Sequence, residues 1–102
     1  MVIILGTIEL ANPDEATRLR DALAARAARS RGDAGNLDYA FAVNLENPRE
    51  IRLTEIWTSE AELNAHLQQP DPAFAEVLAT AAIVSARVTA YDGANERILM
   101  AR

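Results

Sequence analysis

His66 is the only histidine of the chain and Trp57 its only tryptophan, and both sit on one strand-to-helix joint. Histidine alone has an unperturbed pKa near neutrality, so His66 is the natural general base for drawing a proton from a phenol or an activated carbon. A packing role competes with this: a histidine at a helix edge can simply hydrogen-bond a backbone carbonyl or Glu55. Trp57 can wall a flat aromatic ligand and donate one hydrogen bond from its indole, or it can pin the helix to the sheet. Glu55 shares the strand parity of Trp57, which puts a carboxylate on a face that should be covered. It can orient His66 or meet an arginine at an interface. Arg87 lies mid-strand on one parity with Ser85, Thr89 and Tyr91. It can stabilise an anionic substrate or pair with Glu55. Tyr39 and Phe41 belong under the helices, where the Tyr39 hydroxyl can reach a ligand oxygen. Phe74 fits either the core or a pocket wall.

The elements that must position these residues can be read from the spacing. Residues 2–9 form a strand; Val2-Ile3-Ile4-Leu5 is apolar at both parities, so both faces need cover. Asn12-Pro13-Asp14-Glu15 is a helix start with a cap, a first-position proline and two acids at the positive dipole end. Ala16, Leu19, Leu23 and Ala27 follow at helical spacing, and Gly32 ends a helix over about 13–30. Strict alternation over 37–45 gives a strand with Leu37, Tyr39, Phe41, Val43 and Leu45 on one face. Asn47-Pro48 marks a turn, and 50–57 is the next strand, antiparallel to the last. Ser59 and Glu62 form a capping box, in which each would satisfy the other's amide. That helix ends near Gln69, because Pro70 cannot continue it. Asp71-Pro72 starts a second helix, with Phe74, Val77, Leu78 and Ala81 on one stripe. Residues 83–91 form a strand, Gly93-Ala94-Asn95 a turn, and 96–101 a last short strand.

This order, β-α-β-β-α-α-β-β, is an α+β, ferredoxin-like sandwich with its helices on one face of an antiparallel sheet. The 102 residues make a single domain spanning 1–102. The other sheet face keeps Ile3, Leu5, Ala40, Ala42 and Ile56 without cover from its own chain. A soluble monomer does not tolerate so large an apolar surface, which predicts a homodimer packed through its sheet faces. The 96–101 strand would cross to the partner's edge.

Composition narrows the function classes. Net charge is −5, and the arginines at 18, 20, 26, 29 and 31 are interleaved with acids, which argues against nucleic acid as a partner. No apolar run approaches the ~18 residues of a membrane span. With no cysteine there is no disulfide framework and no thiolate metal site, so the expected location is cytoplasmic. There is no phosphate loop, nucleophile elbow or metal-ligand spacing, so no metal is expected.

The segment from Glu55 and Trp57 through the Ser59 cap, Leu63 and His66 to Phe74 resembles the antibiotic biosynthesis monooxygenase domain family. The order of elements extends that resemblance over most of the chain. It implies a dimeric α/β barrel. Family members include enzymes that oxidise aromatic polyketides or quinols with O₂ and no cofactor, and others that degrade haem. Two departures matter. A second histidine often follows the helix-ending proline, whereas here the sequence is Pro70-Asp71-Pro72-Ala73. The haem-degrading branch has an asparagine on strand one, a tryptophan where His66 stands and an iron-binding histidine on the next helix. Here strand one offers Gly6-Thr7, and residues 75–82 offer no iron ligand. The resemblance thus implies cofactor-independent oxygenation of a small aromatic quinol or polyketide-like molecule. In that reading His66 is the base, Arg87 gives charge stabilisation, and Trp57, Tyr39, Phe41, Phe74 and Glu55 shape the pocket. The alternative is a dimeric barrel that binds a small apolar molecule without turning it over.

Overall fold

A computed structural model describes all 102 residues. Strand β1 (Val2–Leu10) leads to helix α1 (Pro13–Arg31). The hairpin β2 (Asn36–Asn44) and β3 (Asn47–Trp57) comes next. Helices α2 (Glu60–Gln68) and α3 (Pro72–Thr80) then precede β4 (Ile83–Asp92). The strands form one antiparallel sheet in the order β2-β3-β1-β4. This is the ferredoxin-like α+β arrangement. No helix is long and apolar enough to cross a membrane.

The local signals act as physical chemistry requires. Asn12 accepts the Glu15 amide at 3.1 Å, and Pro13 fills the first helical turn of α1. Ala16, Leu19, Leu23 and Ala27 are the buried stripe of that helix. It packs on β2, β3 and β1. Beneath it lie Val2, Ile4 and Leu10 of β1, Ile51, Leu53 and Trp57 of β3, and Tyr39 of β2, all buried. Fully burying such a side chain contributes about 2–3 kcal/mol. Gly6 is small for a reason: a Cβ there would sit 3.1 Å from the Cβ of Leu53. Ser59 caps α2 by accepting the Glu62 amide at 3.3 Å.

Several details differ from the reading of the sequence. The reciprocal half of the capping box is not made. The Glu62 side chain instead turns to the Gly35 turn, where its Oε2 is buried without a partner. Gly35 is the residue that needs left-handed backbone, at φ +80°, whereas Gly32 caps α1 in right-handed geometry. The hairpin turns at Leu45-Glu46, one step before Asn47-Pro48, with Asn44 paired to Asn47. Leu37 does not share the Tyr39 face. A register shift between Asn36 and Asp38 reverses the alternation, and Leu37 joins Ile3 and Ile56 on the uncovered face.

Residues 96–101 form no strand. The Gly93 and Met1 backbones bond each other at 2.8 and 2.9 Å, and Asn95 turns with φ 59°. Beyond this turn, Glu96 and Arg97 line a hollow with Ile3, Leu37 and Ile56 on the sheet face opposite the helices. Ile98, Leu99 and Met100 are left exposed. The tail does not pair with β4, although β4 is an edge of the sheet.

No helix covers the opposite face of the sheet, here called the bare face. Ile3, Thr7 and Ile56 are half-buried there, and Leu5 is 48% exposed. No residue of β4 is buried.

Candidate functional site

Side chains from six segments converge between the helices and the sheet. His66, on the inner face of α2, is 2% exposed. Its ring lies tilted on Trp57 at a centroid distance of 4.6 Å and edge-on to Tyr39 at 5.8 Å. The Nδ1 atom is 2.7 Å from Oδ2 of Asp33, in the turn after α1. The Nε2 atom is 3.1 Å from Nη2 of Arg26, on α1.

These two contacts fix the tautomer. A guanidinium has only donors, so Nε2 must accept. The ring proton therefore resides on Nδ1 and is donated to the Asp33 carboxylate. His66 is thus oriented by a carboxylate at Nδ1, with its Nε2 facing Arg26. A carboxylate behind one nitrogen and a lone pair on the other is the arrangement of a general base.

Arg26 is itself held in place. Its Nη1 donates to Oδ2 of Asp71 at 3.0 Å, and its guanidinium lies 5.1 Å from the centre of the Phe74 ring. Its Nε is buried without a partner. Burial opposes the Arg26 charge, but Tyr39 and Asp71 outweigh it and raise its pKa above the ordinary value. Asp71 caps α3 through the Phe74 amide at 3.2 Å and also accepts from Arg29 at 2.6 Å. The Arg29 hydrogen bond is the main reason its carboxyl titrates below the usual range.

Glu55 is buried and accepts the Trp57 indole N–H at 2.9 Å. It does not touch His66, whose orienting partner is Asp33. Burial, reinforced by the Glu55 carboxylate, pushes the Tyr39 hydroxyl's pKa up, so Tyr39 stays a donor. Phe41 connects the Tyr39 and Phe74 rings, with centroids at 5.7 and 6.4 Å.

The structure thus brings together His66, Trp57, Tyr39, Glu55, Phe41 and Phe74. It does not bring Arg87. That residue pairs across the sheet with Thr7 on the bare face, while Glu55 pairs with Ile4 on the helix side. Arg87 therefore reaches neither His66 nor Glu55 within one chain. Alternation states which residues share a face but not which face the helices cover. Asp33 and Arg26 complete the group, and no local pattern marks either role. Asp33 is a loop acid 33 positions from His66, and Arg26 reads as one of several helix arginines.

Trp57, Tyr39 and His66 fill the space between them as core. Open cavities lie elsewhere: a cleft of about 310 Å³ between α1 and β2, and a hollow of about 450 Å³ on the opposite sheet face, between Ile3, Leu37 and Ile56 and the start of the C-terminal tail. Phe41 is the member of the His66 group that lines the cleft. No group of three or more His, Asp or Glu side chains converges to hold a metal ion.

Comparison with known proteins agrees with this fold. The chain superposes on a proposed antibiotic biosynthesis monooxygenase of Deinococcus radiodurans with a TM-score of 0.84 at 25% identity, covering 99% of this chain and 100% of that one. It matches a protein of the same description from Nitrosomonas europaea with a TM-score of 0.80 at 15% identity, covering 91% and 98%. A variant of SnoaB, a cofactor-independent oxygenase of Streptomyces nogalater, matches with a TM-score of 0.74 at 13% identity, covering 93% and 94%. At those last two identities the likeness is one of fold. No curated protein sequence matches the chain. The profile of the antibiotic biosynthesis monooxygenase family matches residues 1–80, most of the chain, and the chain belongs to that family.

Proposed function

We propose that the protein is a cofactor-independent monooxygenase acting on a small aromatic quinol or anthrone-like molecule, with His66 as base and Asp33 as its positioning residue. The observation that carries this reading is the Asp33–His66 pair, whose Nε2 acceptor faces Arg26. The Arg26 N–H occupies the place that an acidic O–H or C–H of a substrate would take. On binding, substrate displaces Arg26 from Nε2. His66 then removes the proton, and the freed guanidinium pairs with the anion. That electron-rich anion passes an electron to O₂. Recombination gives a peroxide, which loses water, so that an activated CH₂ plus O₂ becomes C=O plus H₂O. Trp57, Tyr39 and Phe74 provide the apolar, water-poor surroundings that the anion and O₂ require.

A second copy belongs in the same proposal. The bare sheet face, with Ile3, Leu5 and Ile56, needs a twin to cover it, and Arg87 would lie within that interface.

One observation favours a second reading, binding without turnover: both nitrogens of the nearly inaccessible His66 ring are already engaged. Oxygen uptake with a panel of anthrones and hydroquinones separates the two. Oxygenation predicts uptake that falls about 100-fold or more in His66→Ala and substantially in Asp33→Asn. Equal uptake in wild type and His66→Ala would remove His66 from the mechanism. No uptake in either, with binding retained, would establish the binding protein.

A further inference from the structure

We infer that the cleft between α1 and β2 is a separate binding site for an elongated amphiphilic carboxylate, such as a medium-chain alkyl acid. Its floor is apolar, formed by Leu23 and Ala27 of α1, Phe41 of β2 and Ile51 of β3. The volume of about 310 Å³ lies at the lower end of the range of small-molecule sites. Two cations line it. These are Arg20 and Arg31, and at 1.5 Å per residue they stand about 16 Å apart along α1.

Neither cation is neutralised. Arg18, Arg26, Arg29, Arg49 and Arg52 are each in an ion pair, but Arg20 and Arg31 are in none. Arg31 is already oriented, because its Nη1 donates to the backbone oxygen of Tyr39 at 2.9 Å. In a chain of net charge −5, two unpaired guanidiniums on an apolar cleft select an anion with a greasy body. An apolar cleft lined by two cations from one helix suits an apolar ligand anchored by an anionic head group. The lining holds no His, Tyr, Asp or Glu, so nothing in it can exchange a proton with a ligand near neutral pH. The cleft is therefore a place to bind and not to react.

The site shares only Phe41 with the His66 group. No residue of α2 or α3 lines it, whereas Asp71 and Phe74 of the α3 segment and His66 of α2 build the other. The inference consequently stands whether or not the protein oxidises anything.

Calorimetry on the full chain with decanoate, decyltrimethylammonium and acetate, with amide NMR to locate the ligand, tests it. Decanoate should bind and shift the amides of Ala24, Ala27 and Phe41, and neither the cation nor acetate should do so. Changing both Arg20 and Arg31 to Gln should weaken binding about tenfold or more. Ala24 lines the cleft yet is itself exposed, so Ala24→Leu should fill the site without disturbing the core. Equal binding of decyltrimethylammonium would overturn the inference. So would unchanged affinity in the double arginine variant, shifts confined to the bare sheet face, or no binding of decanoate.

Discussion

Charges that sit on one residue in the sequence are shared among several in the fold. Glu15 reads as a helix-start acid, and it is one. It also accepts from Arg18 at 2.7 Å and from the Ala82 amide at 2.9 Å, which ties the start of α1 to the chain after α3. The Arg18 hydrogen bond, helped by that amide, lowers its pKa from 4.5 to about 2. A carboxyl with a depressed folded pKa stabilises the protein above its unfolded pKa and loses that effect as pH falls through the folded value. Melting curves of wild type and Glu15→Gln should therefore differ by a constant amount above pH 4.5 and converge as pH falls toward about 2. A gap that ignores pH would show that the carboxylate charge is not what holds this tie. At the residue scale, His66, Trp57 and Tyr39 were legible because their types and parities are unusual. Asp33 was not, since a loop acid becomes a histidine's partner only when α1 and α2 are brought side by side.

Secondary structure was largely readable because each element has a start, a stop and a period. Asn12-Pro13, Ser59 and Asp71-Pro72 all cap the helices they announce. What failed was information that local pattern does not carry. The register shift near Asn36 moves Leu37 to the bare face, and one extra residue in a strand inverts every side chain beyond it. Arg87 failed for the related reason that parity has no sign: its neighbours Ser85, Thr89 and Tyr91 do share its face, but that face turns away from the helices. The expected 96–101 strand had suitable residues, but its pairing was to be with a partner's edge, and within one chain it pairs with neither free edge, β2 or β4. Helix α3 has the largest consequences for the site. None of its residues is buried, yet its cap Asp71 and its Phe74 hold Arg26 over His66. On the proposed mechanism, α3 and Arg26 are what must yield when substrate arrives.

The whole molecule divides its sheet unequally. One face carries the core and the His66 group, and the other carries exposed Leu5 beside half-buried Ile3 and Ile56, with β4 unburied along its full length. Sedimentation at micromolar concentration should find particles of twice the 11.1 kDa chain mass, and Leu5→Arg on the bare face should shift them to monomers. Wild-type monomers would contradict the paired architecture. The covered face poses the more decisive question, because its chemistry depends on α1, the Asp33 turn, α2 and α3 assembling around one ring. Heteronuclear NMR of the His66 ring nitrogens at neutral pH asks it directly. The predicted result is a neutral ring with the proton on Nδ1 and a bare lone pair on Nε2. A ring protonated on Nε2 could not accept from Arg26, and finding one would contradict the assignment of His66 as a base held ready behind that guanidinium.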